Sequence, residues 1–242
     1  MAKVTNYLLG YQDMYIVQDN EMFNFSLDSV LLPNFVTINK RVKKILDIGT
    51  GNAPIPLILS TKTKAQIIGV EIQEQVYELG LESVKMNNLE SQITLINEDI
   101  KEFANSCETD TFDVITCNPP YFKADDSSNL NDSDYKKLAR HELSLTLEDI
   151  LKISKKLLKN NGVLAIVHRP DRLVEALELM RKYNIEPKRL QFIYPKKDKD
   201  TNMMLLEGAK NGKPGIKILS PIIAHNEDGS YTEVIKSNFE RK

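Results

Sequence analysis

A glycine turn between an apolar strand and an apolar helix places the strongest constraint on how this chain folds. Residues 44–48 form an apolar run typical of a buried strand, Gly49 and Gly51 follow, and residues 53–60 are predicted as a helix. Glycine lets the backbone turn sharply and approach a ligand without a Cβ in the way. The free N–H groups at the start of the helix would face that ligand. The segment therefore predicts a nucleotide-binding strand, turn and helix.

Strands and helices are predicted to alternate along most of the chain. Strands are expected at 66–71, 93–96, 112–117 and 163–168, and helices at 73–87, 147–158 and 173–183. Only a short connection is expected between 93–96 and 112–117, and residues 160–162 are expected to form a turn. Two last strands, at 189–194 and 202–208, should form an antiparallel pair. This alternation favours a Rossmann-like α/β fold, with a mostly parallel sheet and helices on both faces.

Length and composition favour a single domain. The chain has 242 residues, of which 41% are hydrophobic and 27% charged, as in ordinary globular proteins. Within this domain, 1–242, we expect a Rossmann-like core at 43–210, an N-terminal extension at 1–42 and a tail at 211–242. Residues 122–140 contain four Asp and three Ser without periodicity, which predicts a long loop over the active-site edge.

Several classes of protein are excluded by what the sequence lacks. No apolar stretch is long enough to cross a bilayer, and the first residues do not form a secretory signal, so we expect a cytoplasmic protein. The two cysteines and three histidines show no metal-ligand spacing. We therefore predict neither a membrane partner nor a metal site.

Two acidic residues around the glycine turn indicate which nucleotide is bound. Glu71 lies 20 residues beyond Gly51, at the end of the next strand, where a carboxylate can accept the ribose hydroxyl hydrogens. Pro54 stands where a dinucleotide site would need a third glycine. Asp47 would repel a pyrophosphate but could orient the α-ammonium of a methionine moiety. These residues favour S-adenosylmethionine, the alternative being a structural turn followed by a surface glutamate.

The adenine end of this cofactor is predicted to lie near the ends of the second and third strands. Ile72 directly follows Glu71, and Asp99 could accept a hydrogen bond from the adenine amino group while Ile100 packs on the ring. Asp99 and Glu102 also have the spacing of a helix N-cap. One side chain rarely serves both roles, so the alternative of a cap stays open.

The tetrapeptide Asn118-Pro119-Pro120-Tyr121, directly after the fourth strand, is predicted to hold the reacting nitrogen. An exocyclic amino or amide nitrogen is a poor nucleophile because its lone pair is delocalised. The Asn118 side-chain oxygen and the Pro119 carbonyl could each accept one N–H hydrogen bond and align the nitrogen with the methyl group. Consecutive prolines preset the backbone, and Tyr121 can stack on a planar substrate. In isolation the tetrapeptide could simply terminate a strand, but its position after a nucleotide-binding unit favours catalysis.

Taken together, these motifs resemble class I, seven-stranded methyltransferases, and within them the bacterial tRNA1(Val) (adenine(37)-N6)-methyltransferase family. The resemblance runs from about residue 25 into the tail and includes the segments 27–32, 139–142, 221–225 and 229–232. It implies a seven-stranded sheet, S-adenosylmethionine as cofactor and transfer of a methyl group to N6 of adenine in RNA, specifically tRNA. It also implies that Asp28 helps to close a helix over the cofactor, although Asp28 could instead cap that helix.

The resemblance and the charge distribution suggest further substrate contacts. Residues 97–150 hold 13 acidic and 5 basic side chains, whereas residues 181–217 hold 10 basic and 4 acidic ones. The basic stretch, with Lys196 and Lys197, could follow a phosphate backbone, or it could be an ordinary solvated surface. Arg140 and His141 belong to the resembling segment 139–142. They are assigned to substrate binding, and a structural hydrogen bond is the alternative for His141.

Three other functions compete with adenine methylation. Glutamine N5-methyltransferases of release factors share Asn-Pro-Pro-Tyr, but they carry a helical N-terminal domain that the 43 residues before the first strand cannot supply. Guanine N2-methyltransferases of rRNA usually have Phe in place of Tyr121. A non-catalytic RNA-binding relative would be expected to lose Asn118 or the glycines, and this chain keeps them.

Overall fold

Nine strands form one central sheet in the computed structural model, which describes residues 3–8, 11–19, 27–119 and 145–239. The described elements are β1 (Lys3–Leu8), β2 (Tyr11–Asp19), α1 (Leu27–Phe35), β3 (Lys44–Ile48), α2 (Pro54–Ser60), β4 (Gln66–Glu71), α3 (Glu74–Met86), β5 (Ile93–Asn97), α4 (Ile100–Ser106), β6 (Phe112–Cys117), α5 (Leu147–Leu157), β7 (Leu158–His168), a 3₁₀ turn (Pro170–Arg172), α6 (Leu173–Lys182), β8 (Ile185–Tyr194), β9 (Met203–Lys210), β10 (Lys217–Ile218), β11 (Ile222–Ile223) and α7 (Glu233–Phe239).

The order of the strands is β10-β8-β9-β7-β6-β3-β4-β5, with β11 also paired to β8. Strands β3 to β7 are parallel, and β9 is antiparallel to both β7 and β8. The seven strands from β5 to β8 are those expected of a class I methyltransferase, so the predicted mostly parallel sheet with an antiparallel C-terminal pair is confirmed. The tail adds two short strands, β10 and β11, that the sequence did not predict.

Helices cover both faces of the sheet, as the alternation predicted. One apolar cluster joins the sheet to α1, α2 and α3, and a second joins it to α4, α5 and α6. The strands between the two clusters are covered on both faces, which is why their sequences are largely apolar. The strand order reverses at β3, because β4 and β5 lie on one side of it and β6 and β7 on the other. Ligands of doubly wound sheets bind at such a reversal, beyond the carboxyl ends of the strands.

Three local predictions about secondary structure were wrong. Helix α4 occupies the predicted short connection, where its seven residues are too few to show a clear apolar period. Strand β7 starts at Leu158, so the predicted turn at 160–162 lies inside a strand. There Asn161 has a φ of 59° and the pairing with β6 shifts register, which accommodates the turn-forming residues. Strand β8 starts at Ile185 and contains a comparable irregularity after Pro187.

The N-terminal extension forms a β-hairpin and helix α1, and the hairpin was not predicted as strands. Strands β1 and β2 are antiparallel and pack on α3. The Val17 N–H donates to Ser83 Oγ at 2.9 Å, and the Asn87 amide exchanges hydrogen bonds with the Tyr15 backbone. The Asn52 amide, next to the glycine turn, donates to the Val17 carbonyl at 2.8 Å. The hairpin therefore supports the glycine turn. The boundaries of the Rossmann-like core at residues 43 and 210 stay predictions.

A buried ionic contact fixes α1 against the far half of the sheet. Glu207 of β9, which is 3% exposed, accepts hydrogen bonds from the Thr37 N–H at 2.6 Å and the Thr37 hydroxyl at 2.8 Å. Arg189 of β8 lies 3.3 Å from the Glu207 carboxylate, donates to the Phe35 carbonyl at 2.9 Å and stacks over the Phe35 ring. Helix α1 is thereby held in a defined position beside the sheet.

Within the described part of the chain, none of the helices has the length and apolar character needed to span a membrane.

Candidate active site

The predicted turn between β3 and α2 is a left-handed glycine turn. Gly49 and Gly51 have φ values of 65° and 59°, which glycine adopts at little cost. A Cβ built on either glycine would meet no atom within 4 Å, so the backbone of the turn faces open space. Ala53, the N-cap residue of α2, also has a positive φ of 71°. The alanine fits sterically, with strain that a glycine would not carry.

The ends of three neighbouring strands lie level with one another around this turn. Ile48 pairs with Val70 of β4 and with Cys117 of β6. Glu71 and Asn118, the residues that follow Val70 and Cys117, therefore lie at the ends of the two strands that flank β3, on either side of the glycine turn. The register thus brings the predicted ribose acceptor, the glycine turn and the predicted catalytic amide to one edge of the sheet.

Glu71 is bonded to the glycine turn. One of its carboxylate oxygens accepts the Gly51 N–H at 3.0 Å, and the other accepts the Gln73 N–H at 2.8 Å. Asn97 of β5 holds the same strand end by donating to the Glu71 carbonyl at 2.8 Å. Glu71 is buried rather than a surface residue, and both of its carboxylate oxygens support the turn. Its predicted contact with a ribose stays a prediction.

Asp47 is a fully buried carboxyl group directly below the turn. The Thr116 hydroxyl of β6 donates to its Oδ1 atom at 2.6 Å, whereas its Oδ2 atom has no hydrogen-bond partner among the described residues. Burial raises the pKa of Asp47 to about 7, because desolvation, together with the nearby charge of Glu71, outweighs the stabilising effect of the Thr116 and Thr50 hydroxyl groups. A cationic ligand at Oδ2 would satisfy this oxygen and favour the ionised form.

Asp99 is the N-cap of α4. Its Oδ1 atom accepts the Lys101 N–H at 2.8 Å, which is the structural role that the sequence left open. A contact with adenine stays a prediction. Ile100 is buried in the core beneath α4, while Ile72 is 46% exposed at the end of β4. Of these two isoleucines, Ile72 presents the larger apolar surface to a ligand at this edge.

Asn118 contacts α1 through a residue that the sequence analysis did not single out. Its Nδ2 atom donates to the Ser29 hydroxyl at 3.2 Å. Ser29 is buried, and its N–H donates to the carboxylate of Asp28, which lies in the first turn of α1. An acidic side chain there interacts favourably with the helix N-terminus. The contact turns the nitrogen of the Asn118 amide towards α1.

The predicted site also includes the rest of the tetrapeptide after Asn118, Arg140, His141 and two lysines of the basic stretch. Pro119 follows Asn118, whereas Pro120, Tyr121, Arg140 and His141 lie outside the described residues. The loop after β8 carries Lys196 and Lys197, and because β8 is parallel to β3 it emerges at the same edge of the sheet as the glycine turn. Lys196 donates to the Glu227 carbonyl at 3.0 Å, and Lys197 is exposed.

Three residues at the site went unnoticed in the sequence, namely Ser29, Thr116 and Asn52. Thr116 could have been found, because it is a polar residue at the apolar end of a buried strand. Ser29 and Asn52 act through contacts with distant segments and leave no local signal. Within the described ranges, no group of three or more His, Cys, Asp or Glu side chains could hold a metal ion.

Comparison with known proteins defines the class of protein. The family model of a methyltransferase domain matches residues 39–210. A predicted O-methyltransferase from Agrobacterium tumefaciens has the same fold, with a TM-score of 0.68 at 18% identity over 88% of this chain and 95% of that chain. A geranyl diphosphate methyltransferase in complex with SAM has a TM-score of 0.55 at 11% identity over 75% of this chain and 84% of that chain. The chain is a class I methyltransferase.

Relatives in sequence narrow this class to one family. A tRNA1(Val) (adenine(37)-N6)-methyltransferase from Flavobacterium johnsoniae is 30% identical over 161 residues, 66% of this chain and 67% of that protein. A protein of the same name from Bacteroides thetaiotaomicron is 27% identical over 240 residues, which cover 98% of each chain. The chain belongs to the tRNA1(Val) (adenine(37)-N6)-methyltransferase family, as its motifs implied.

Proposed function

We propose that this protein transfers a methyl group from S-adenosylmethionine to the exocyclic N6 amino group of adenine in RNA, specifically in tRNA. The observation that carries the proposal is the position of Asn118. It directly follows β6, level with Gly49, so an amide side chain adjoins the turn expected to hold the cofactor. Relatives named as adenine N6-methyltransferases of tRNA support this acceptor over a glutamine amide or guanine N2.

The residues of the glycine turn fit S-adenosylmethionine. Asp47 has a buried oxygen without a partner among the described residues, and an α-ammonium group would satisfy it. Glu71 is held by Gly51 and Gln73, which presets its carboxylate for two ribose hydroxyls. Ile72 offers an apolar surface for the adenine ring. When bound, the cofactor supplies a methyl group on a sulfonium, and its carbon–sulfur bond breaks as the new carbon–nitrogen bond forms.

Asn118 and Pro119 supply the acceptor side of the reaction. In the proposed mechanism, the two N–H groups of the amino group donate one hydrogen bond each to the Asn118 side-chain oxygen and the Pro119 carbonyl, which hold the nitrogen in line with the methyl carbon. Both acceptors stabilise positive charge that develops on this nitrogen during attack. The methylated ammonium then loses a proton to water, so no side chain has to serve as a general base.

The proposal is tested by incubating the purified protein and methyl-labelled S-adenosylmethionine with unmodified tRNA, bulk rRNA and a release factor. We expect label in N6-methyladenosine from tRNA, identified by mass spectrometry after nuclease digestion. Label in glutamine or in N2-methylguanosine, and none in adenosine, would overturn the proposed acceptor.

A variant separates the role of Asn118 from cofactor binding. We expect Asn118→Ala to abolish methyl transfer while the Kd for S-adenosylmethionine stays within a few fold, because the amide acts on the acceptor nitrogen. Asn105→Ala, at the exposed end of α4, is the matched control and should keep full activity. A large loss of cofactor affinity in Asn118→Ala would contradict the proposed role.

A further inference from the structure

A lysine-lined cleft of about 490 Å³ lies on the edge of the sheet opposite the candidate active site. It is formed by the segments that precede β3 and β4, and therefore sits at the amino ends of these strands. Its lining residues are Ile38, Asn39, Lys40, Val42, Lys43, Ser60, Thr61, Lys62, Thr63, Lys64 and Ala65. We call this feature the lysine cleft.

The lysine cleft has a strong excess of positive charge. Four of its lining residues, Lys40, Lys43, Lys62 and Lys64, are exposed lysines, although partial burial lowers the pKa of Lys62. None of the lining residues is acidic. Among the described residues, none of the four ammonium groups takes part in an ion pair or a hydrogen bond. In a protein with a formal net charge of −2, this is a local concentration of unpaired cations.

The carboxylate that approaches the lysine cleft is already engaged. Asp113 accepts the N–H groups of Lys43 and Lys44, each at 2.9 Å, and pairs with the Lys159 ammonium at 2.8 Å. These contacts lower the pKa of Asp113, although its partial burial acts in the opposite direction. Asp113 therefore orders the backbone at the cleft without neutralising the lysine side chains that line it.

The backbone of the lysine cleft is fixed by hydrogen bonds. The Gln92 amide donates to the carbonyls of Thr63 and Ala65, at 2.7 and 3.0 Å. The Gln66 N–H donates to the Lys43 carbonyl at 2.9 Å, which joins the two segments. The Cα positions of the lysines are therefore set before any ligand arrives, which reduces the entropy lost on binding.

We propose that the lysine cleft binds phosphate groups in the backbone of the RNA substrate. Convergent ammonium groups without carboxylate partners suit a polyanion, because each phosphate contact releases condensed counterions. Strand β3 has five residues and so separates the lysine cleft from the methyl-transfer edge by about 15 Å. The phosphates bound there must belong to a folded RNA that extends well beyond the methylated nucleotide. This inference rests on the proposed function.

The test compares a triple variant with a control of equal charge. The cleft variant loses three cations of the lysine cleft through Lys40→Gln, Lys62→Gln and Lys64→Gln. The control variant loses three exposed cations of α3 and α5 through Lys85→Gln, Lys152→Gln and Lys155→Gln. We expect the cleft variant to weaken binding of full-length unmodified tRNA by about tenfold or more at moderate salt, and to reduce the slope of log K against log salt by about 2 to 3.

Other measurements identify the RNA as the ligand. The cleft variant should bind a short anticodon stem–loop and S-adenosylmethionine with the same Kd values as the unmodified protein. Its melting temperature should also be unchanged. The corresponding triple Lys→Arg variant should keep full tRNA affinity. ATP and inorganic pyrophosphate serve as probes for a small phosphorylated ligand.

Three results would overturn the inference. These are an unchanged tRNA affinity in the cleft variant, an equal loss in the control variant, or tight binding of ATP or pyrophosphate that the cleft variant abolishes while tRNA binding persists. Failure of the proposed function would give a different result from failure of this inference, because the protein without substitutions would then methylate no RNA. The comparison of tRNA affinities is valid in either case.

Discussion

Asp47 is a carboxyl group with no solvent contact, and its ionisation works against folding. Its pKa rises from an ordinary value of 3.8 to about 7 in the folded protein. Below about pH 4 the group is neutral in both states and costs nothing. Between about pH 4 and pH 7 the carboxyl group ionises in the unfolded chain but stays largely neutral in the folded protein, so the free energy of unfolding falls. Above about pH 7 this loss of stability reaches about 4 kcal/mol.

We therefore expect Asp47→Asn to stabilise the ligand-free protein at pH 8, by up to about 4 kcal/mol, and to have little effect near pH 4. Chemical denaturation of both proteins across this pH range measures the difference. Asp113→Asn is a useful comparison, because the pKa of Asp113 is lowered and its replacement should destabilise the protein at pH 8. A stability difference for Asp47→Asn that does not change with pH would contradict this account.

The same titration should control cofactor binding. If Asp47 accepts the α-ammonium of S-adenosylmethionine, its neutral form binds poorly, and affinity should fall about tenfold for each pH unit below about 7. Calorimetry from about pH 5.5 to about pH 7.5 measures this dependence. His168 is not responsible, because burial lowers its pKa to about 4, so His168→Gln should keep the profile. Asp47→Asn should bind weakly at every pH, and a pH-dependent affinity in that variant would refute the assignment.

Ser29 is expected to position the catalytic amide rather than to bind the cofactor. Because the Asn118 nitrogen donates to the Ser29 hydroxyl, Ser29→Ala removes a contact that fixes which end of the amide faces the acceptor. We expect kcat to fall about twofold to tenfold, the effect of one neutral hydrogen bond, with KM and the Kd for S-adenosylmethionine unchanged.

Two variants separate positioning by Ser29 from a structural effect. Ser154→Ala removes another buried hydroxyl, on α5 and away from both the candidate site and the lysine cleft, and should leave kcat unchanged. Ser29→Thr keeps a hydroxyl and should restore most of the activity. Equal losses of kcat in Ser29→Ala and Ser154→Ala would show that Ser29 has no specific role.

Residues of the candidate site differ in how far the sequence could locate them. Asp47, Gly49, Gly51 and Glu71 follow from spacing, because parallel strands in register bring successive strand ends together. Ser29 does not, because its partner Asn118 is 89 residues away and only the packing of α1 joins them. The strain at Ala53 was also hidden, since composition alone does not reveal a positive φ.

At the scale of elements, α1 depends on an ion pair at its C-terminal end. Arg189→Met would leave the Glu207 carboxylate buried without its cation, and Phe35 would lose the stacked guanidinium. Breaking buried pairs costs about 3 to 5 kcal/mol, and because Arg189 is partly exposed we expect about 2 kcal/mol, measured by chemical denaturation. Adding Glu207→Gln should recover part of this loss. A double variant less stable than Arg189→Met would contradict the charge argument.

Elements of the core were predictable, and those outside it were not. Strands β3, β4 and β6 lie between two helical layers, so their apolar runs match the observed bounds. Helix α4 is too short for a clear period. The hairpin of β1 and β2 depends on polar contacts with α3 that are formed across the fold, and no local pattern reports them.

At the scale of the whole molecule, function follows from the order of the strands. The reversal at β3 opens a crevice at the carboxyl edge, where the glycine turn, Glu71 and Asn118 meet. The amino edge carries the lysine cleft. A methyltransferase that acts on a single base uses the first edge for chemistry, and in our proposal it uses the second to hold the body of a folded RNA.

The contact between α1 and the far half of the sheet also has a consequence for how the protein is made. Thr37 and Glu207 are separated by 170 residues, so the contact that fixes the C-terminal end of α1 cannot form until β9 has been synthesised and paired. Contacts this distant in sequence close late, because the intervening chain must first be ordered. When only the parallel strands have emerged from the ribosome, the glycine turn can already fold. At that stage Ser29, the partner of Asn118, is not yet fixed in position. Catalytic competence should therefore arise at the end of translation, as the last antiparallel strand docks.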